Sequence, residues 1–161
     1  IAVDPWFIVD TSPSEARIIR TAREVNDHKP EWVLEKIKAC ITDTLSANPG
    51  TTLRDVKVAC LGLAFKPDID DLRESPAVEI AEKVTRLGCQ VLAVEPNIEA
   101  LPESLAKTQL CLVGLNEAVA SADVVCVLVK HRPFIEEIGA IKVHGKVIDA
   151  VGLFASVALK G

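Results

Sequence analysis

Length, composition and charge restrict this chain to a small folded protein. Its 161 residues are 49% hydrophobic and 25% charged, which is enough apolar material for one buried core plus an appendage. The net charge of -5 disfavours general binding of nucleic acids or other polyanions, so any affinity for phosphate has to be local. No apolar run approaches the roughly 20 residues of a membrane span, so we expect no membrane partner.

The first third of the chain predicts two helices. Thr11 and Ser12 are candidate N-caps before Pro13, and apolar residues then recur at helical spacing up to about residue 28. Pro30 restarts the chain, and a second apolar stripe continues to about residue 47, before Asn48-Pro49-Gly50. This second stripe consists of Leu34, Ile37, Ile41 and Leu45. Such a helix either packs on its own domain or meets a partner, and the residues alone leave both open.

Strand-like and helix-like segments alternate from Leu53 onward. We predict strands at 56–61, 90–95, 109–113, 124–129 and 146–149. We predict helices at 76–87, around 115–120 and around 133–138. This alternation is typical of a mostly parallel sheet with right-handed crossovers. The sequence therefore predicts an α/β fold in which a helical segment precedes a Rossmann-like sheet.

The cysteines and the acid after the second strand suggest no site of their own. The five cysteines are widely spaced and include no C-x-x-C pair, so we predict neither a disulfide framework nor a metal site. They are interpreted as core residues, which fits a reducing cytoplasm. Glu95 falls where a dinucleotide-binding fold places its ribose-binding acid, but the chain contains no G-x-G-x-x-G turn. We therefore interpret Glu95 as a loop residue.

The most informative segment follows the first predicted strand. Residues 62–77 combine two cations, four acids and a helix start, with Ser75 as N-cap and Pro76 at the first helical position. Loops at the carboxyl ends of parallel strands are where ligands bind in open α/β sheets. Lys66 and Arg73 offer positive charge to phosphate oxygens there. The alternative is that both cations only neutralise the neighbouring acids Asp68, Asp70, Asp71 and Glu74.

This segment resembles the signature of the UDP-glucose/GDP-mannose dehydrogenase family. The resemblance extends to residues 1–9, 22–30 and 122–125 and to His131. Members of that family use NAD to oxidise the C6 alcohol of a nucleotide sugar to a carboxylate in two steps. The resemblance implies a UDP-sugar-binding, Rossmann-like domain at residues 51–161. It also implies that residues 1–50 are a central helical segment that forms a homodimer.

The resemblance also assigns roles to individual residues. Asp4 matches the acid that activates water for thioester hydrolysis, and Phe65 with Lys66 matches a substrate-contacting pair. Arg73 matches a residue that reaches the bound NAD. In the family a basic residue that touches the substrate follows the last strand, but this chain has Val151 at that position. The departure puts that contact, and with it the identity of the sugar, in question.

Two catalytic parts of the family have no counterpart in these residues. The family's nucleophilic cysteine lies in a Gly-Gly-His-Cys element that would fall immediately before Ile1, and the glycine-rich NAD domain is not seen. We therefore expect the chain, as given, to show no dehydrogenase activity. The matched segments favour UDP-N-acetylmannosamine as substrate, while UDP-glucose, UDP-N-acetylglucosamine and GDP-mannose stay open. The alternative from another class is a free-standing nucleotide-binding or dimerisation module.

Overall fold

A five-stranded, fully parallel sheet is the centre of the computed structural model, which describes residues 4–155. Its spatial order is β3-β2-β1-β4-β5. The strands are β1 (Lys57–Leu61), β2 (Gln90–Val94), β3 (Leu110–Leu112), β4 (Val124–Val127) and β5 (Val147–Asp149). Each predicted strand is present within two residues of its expected ends, so the Rossmann-like α/β prediction is confirmed.

Eight α-helices accompany the sheet within the described residues, together with one short 3-10 helix, Leu53–Asp55. Those before the sheet are α1 (Asp4–Thr11), α2 (Arg17–Asp27) and α3 (Lys29–Ala47). Those between and after the strands are α4 (Pro76–Arg86), α5 (Glu103–Ala106), α6 (Leu115–Ser121), α7 (Arg132–Glu136) and α8 (Ile138–Lys142). No helix within residues 4–155 combines the length and apolar character that crossing a bilayer requires.

The sheet is covered by apolar helix faces on both sides, as parallel sheets require. On one side, α3 and α4 contribute Ile37, Ile41, Ile80 and Val84 to a core that includes alternate residues of β1 and β4. On the other side, α6, α7 and α8 contribute Ala118, Phe134 and Ile141 to a second core. The sheet therefore carries one core on each face.

The apolar stripe of α3 packs on its own sheet, which corrects our expectation that it faces a partner subunit. Leu34, Ile37 and Ile41 are each at most 5% exposed, and all three belong to the core shared with β1, β4 and α4. The sequence pattern could not decide this, because a stripe that covers a sheet and a stripe that covers another subunit have the same period. Among the exposed large apolar residues, four lie on α1 and α2: Phe7, Ile8, Ile18 and Val25.

Three short helices were not predicted. α5 and α8 have four and five residues, too few to establish an apolar period. α1 contains a continuous apolar run, Trp6-Phe7-Ile8-Val9, that shows no helical spacing, although Asp4 in its first turn suits the helix dipole. Pro13, expected to open the next helix, lies in the turn between α1 and α2. Short helices of this kind depend on tertiary packing more than on local pattern.

Candidate functional site

The candidate site lies at the carboxyl edge of the sheet, where strand order reverses between β1 and β4. The chain continues from β1 to the neighbour on one side and from β4 to the neighbour on the other side, the arrangement that in such folds usually creates a ligand-binding crevice. Gly62 enters the crevice with φ +88, and a Cβ there would lie 2.5 Å from the Cβ of Val129. Only glycine fits both this backbone conformation and this close approach.

The signature loop, residues 62–75, is a closed and conformationally constrained segment. The backbone N–H of Phe65 donates to the carbonyl of Asp71 over 2.8 Å, which joins the two sides of the loop. Asp68 and Glu74 adopt left-handed backbone conformations, with φ 59 and 54. Such conformations are uncommon for residues other than glycine and cluster at functional sites. The loop ends at Ser75, whose hydroxyl accepts from the amide of Ala77 and caps α4 as predicted.

Lys66 is available to a ligand. Its side chain is exposed, and within residues 4–155 it forms no ion pair with any of the acids in its loop. Its Nζ lies 5.8 Å from the centroid of the Phe65 ring, at the outer limit of a cation–π contact. Phe65 itself is half-buried at the base of the loop. The pair therefore presents one aromatic edge and one unneutralised charge beside the crevice.

Arg73 differs from Lys66 because it already has a carboxylate partner. Its Nε and NH2 donate to the two carboxylate oxygens of Asp71 over 2.9 and 2.8 Å. The hydrogen bonds from Arg73 are the main reason that the pKa of Asp71 falls from 3.8 to about 2. The Arg73 side chain is still 87% exposed. The neutralising role that we left open thus applies to Arg73 but not to Lys66.

Glu95 is a buried carboxylate at the carboxyl edge of the sheet, where it accepts several hydrogen bonds. No feature of the sequence indicated this role. It is only 4% exposed, and its Oε2 accepts from the amides of Leu63 and Ala64 over 2.8 and 2.9 Å. His131 Nε2 lies 3.0 Å from the same oxygen. Burial alone would raise the pKa of Glu95, but the hydrogen bonds from His131, Leu63, Ala64 and Asn97 outweigh it and lower the pKa to about 2.

His131 links Glu95 to the far side of the signature loop. It is fully buried, and its Nδ1 accepts from the backbone N–H of Asp68 over 2.9 Å. Because that amide can only donate, the hydrogen-bond pattern assigns the imidazole proton to Nε2, which donates to Glu95. Asp68 in turn accepts from the amide of Arg132 over 2.8 Å. His131 therefore bonds across 63 residues of chain, where the sequence suggested only local contacts.

The structure brings together some of the sequence-predicted site residues and not others. Phe65, Lys66 and Arg73 share the signature loop at the carboxyl edge. Asp4 is the exposed first residue of α1, and no hydrogen bond or ion pair within residues 4–155 joins it to that loop. Val151 lies just after β5, where Asp149 accepts from its amide over 3.3 Å. Lys130, half-buried after β4, adds a cation that sequence reasoning passed over.

Two grooves near α2 differ in their suitability for an anionic ligand. One, of about 560 Å³, runs between α2 and the signature loop and is lined by Phe65 and Leu72. Its wall also carries the carboxylates Asp27, Glu74, Glu79 and Glu82. Arg23 lines the same groove and pairs with Asp27, and Lys83 and Arg86 pair with Glu79 and Glu82. These acids are therefore partly neutralised, although the lining residues still carry a net negative charge. The other groove, of about 870 Å³, follows the outer face of α2 past Ile18, Ala22 and Val25 and is mostly apolar. Arg17 and Lys29 also line this second groove.

The cysteines contribute no reactive group to this edge. Cys60 and Cys126 are fully buried register partners in β1 and β4. Burial raises the pKa of Cys60 to about 12 and that of Cys126 well above its usual range, so both thiols are inert at neutral pH. Within residues 4–155, no group of histidine, cysteine and acidic side chains has the arrangement of a metal site.

Comparison with known proteins identifies a family. Residues 59–155 match the UDP binding domain of the UDP-glucose/GDP-mannose dehydrogenase family. The chain is 54% identical over 157 residues to the UDP-N-acetyl-D-mannosamine dehydrogenase of Escherichia coli K12. It is 56% identical over 138 residues to that of Campylobacter jejuni. These matches cover 96% and 84% of the chain but only 36% and 32% of the relatives.

A solved structure shows that the fold is shared over nearly the whole chain. The UDP-N-acetyl-mannosamine dehydrogenase of S. aureus matches with a TM-score of 0.66 and 28% identity. That match covers 95% of this chain and 34% of the other. The chain thus spans about a third of the length of the relatives it matches. With the matched domain containing the signature loop, Glu95 and His131, the chain belongs to the UDP-glucose/GDP-mannose dehydrogenase family.

Proposed function

We propose that this chain supplies the UDP-binding part of an NAD-dependent UDP-N-acetyl-D-mannosamine 6-dehydrogenase of the cytoplasm. The observation that carries the proposal is Lys66, an exposed cation without a carboxylate partner among the described residues, beside the crevice between β1 and β4. The names of the relatives support the sugar, because the matches at 54% and 56% identity are both UDP-N-acetyl-D-mannosamine dehydrogenases. The uronate product fits polysaccharide biosynthesis.

In this proposal the residues of the edge bind and orient the nucleotide half of the substrate. Lys66 donates to a diphosphate oxygen as a point charge, and the ring of Phe65 forms the adjoining apolar wall. Arg73 reaches an NAD phosphate held by another domain, for which it must exchange Asp71 for the ligand. Asp4 assists hydrolysis of a thioester formed on a cysteine outside these residues. NAD, when bound, accepts hydride from the sugar C6 carbon.

The test is calorimetric titration of the chain with UDP. We expect Lys66→Ala to reduce the affinity at least tenfold, because one charge-assisted contact is worth about 1.5–3 kcal/mol. Lys142→Ala is the matched control, since Lys142 is an exposed lysine at the end of α8, away from the carboxyl edge. Equal UDP affinity of the Lys66→Ala and Lys142→Ala variants would refute the assignment of Lys66.

A different class of function, a binding or dimerisation module without chemistry, stays open as the second candidate. The apolar groove on the outer face of α2 favours a protein partner on that side of the molecule, because Ile18 and Val25 are 85% and 69% exposed. A nucleotide-binding module would share the UDP site with the enzyme, and neither kind of module would carry out catalysis. Formation of NADH from UDP-N-acetylmannosamine by an enzyme containing this segment distinguishes them.

A further inference from the structure

The Glu95 carboxylate is surrounded by hydrogen-bond donors only. Its Oε2 accepts from Leu63, Ala64 and His131, and its Oε1 accepts from the amide N–H and the Nδ2 of Asn97, both over 3.1 Å. An ionised carboxylate accepts at every position, whereas a carboxamide must direct its NH2 at donors on one side. The site therefore requires a negative charge at Glu95, not merely a side chain of its size.

These bonds hold the Phe65-Lys66 turn from both sides. The amides of Leu63 and Ala64, immediately before Phe65, are fixed directly by Glu95. The amide of Asp68, after the turn, is fixed by His131, whose orientation is set by its bond to Glu95. One buried carboxylate thus restrains the chain directly before the Phe65-Lys66 turn and, through His131, directly after it. Asp68 holds its left-handed backbone conformation within this network.

Glu95 itself cannot be a ligand for the nucleotide. It is 4% exposed, and the amides, the imidazole and Asn97 already occupy both oxygens. We propose that Glu95 is a positioning residue, which presets the turn that carries Lys66 so that the binding site exists before the nucleotide arrives. This inference rests on the proposed UDP-binding function. It assigns to the acid after β2 a role different from the ribose contact expected at that place in dinucleotide-binding folds.

The experiment combines amide hydrogen exchange with calorimetric UDP titration on the full chain. Glu95→Gln removes the charge at nearly constant volume, and Glu99→Gln, an exposed acid of the same loop, is its matched control. Ile141→Val removes one methylene from the core beneath α6, α7 and α8. This variant measures what mild destabilisation alone does to UDP affinity. Exchange is compared between the amides of Leu63, Ala64 and Asp68 and those in the middle of β1.

The expected result is local loosening coupled to weaker binding. Glu95→Gln should accelerate exchange at Leu63, Ala64 and Asp68 more than in β1 and weaken UDP binding roughly tenfold or more. Glu99→Gln should leave both unchanged, and Ile141→Val should leave UDP affinity unchanged and should not accelerate exchange at Leu63, Ala64 and Asp68 more than in β1. Wild-type exchange at these amides, or unchanged UDP affinity of the Glu95→Gln variant, overturns the inference. If the wild-type chain binds no UDP, the proposed function fails and the exchange rates alone decide whether Glu95 sets the turn.

If the Glu95→Gln variant does not fold, the same measurements can be made on a milder variant, Asn97→Ala. Asn97→Ala removes one exposed side chain whose Nδ2 donates to Glu95 and to His131 Nδ1, over 3.1 Å in each case. We expect faster exchange at Asp68 and weaker UDP binding, because both Glu95 and His131 lose part of their restraint. Exchange and affinity at wild-type values in the Asn97→Ala variant would count against the positioning role.

Discussion

Lys66 and Arg73 lie in one loop, yet their surroundings prepare them for different tasks. Lys66 has no carboxylate partner among residues 4–155, while Arg73 is held by both oxygens of Asp71. An exposed ion pair of this kind adds little stability but restricts the guanidinium to one orientation. A ligand that recruits Arg73 has to displace Asp71, whereas a ligand that recruits Lys66 displaces only water.

The coupling between Arg73 and Asp71 predicts a titration shift. Asp71 has a folded-state pKa of about 2, below its ordinary value of 3.8, so the pair's contribution is complete above pH 3.8 and is lost as the pH falls toward 2. Arg73→Gln should return the pKa of Asp71 toward 3.8. Carboxyl-carbon NMR over that pH range measures it, and an unchanged Asp71 titration in the variant would show that the pair does not form in solution.

Gly62 predicts a backbone and packing effect at the crevice. Gly62→Ala should destabilise the fold by about 2–4 kcal/mol, because the new methyl group meets Val129 and the left-handed conformation disfavours alanine. Gly145→Ala is the control, since a Cβ there meets nothing within 4 Å. Urea denaturation compares the two. A Gly62→Ala variant as stable as Gly145→Ala would mean that the segments following β1 and β4 do not approach each other this closely at Gly62 and Val129.

Among the elements, the strands of the sheet could be predicted from the sequence, but the surface against which α3 packs could not. The strands are short apolar runs bounded by turn residues, and Ser75-Pro76 marks the start of α4 chemically, so local rules were sufficient. The position of α3 depends on which apolar surface it meets, which no local period contains. The Glu95–His131 contact joins residues 36 positions apart in sequence, and a lone acid or histidine gives no signal of its distant partner.

The N-cap of α4 gives an element-scale prediction. Ser75→Ala should lower the free energy of unfolding by about 1 kcal/mol, because the Ala77 amide loses its hydroxyl acceptor. Ser46→Ala, near the exposed carboxyl end of α3, is the matched control with no capping role. Equal midpoints of chemical denaturation for the two variants would contradict the assignment of Ser75 as the cap.

At the scale of the whole molecule, the exposed apolar residues of α1 and α2 are the candidate interface for the homodimer that the family resemblance implies. We expect Ile18→Asp to shift the chain from dimer to monomer in sedimentation, because Ile18 is 85% exposed on the outer face of α2. Val143→Asp is the control, since Val143 is 84% exposed but follows α8. A chain that is monomeric at tens of micromolar would contradict the expected homodimer.

The central claim is that UDP binds at the carboxyl edge between β1 and β4. Titrating the isotope-labelled chain with UDP and following its amide NMR signals tests this claim residue by residue. We predict that the shifted signals concentrate in residues 62–76 and 128–132, with α2 and the amino ends of the strands unaffected. Shifts that concentrate along the outer face of α2, or no shifts at saturating UDP, would contradict the claim.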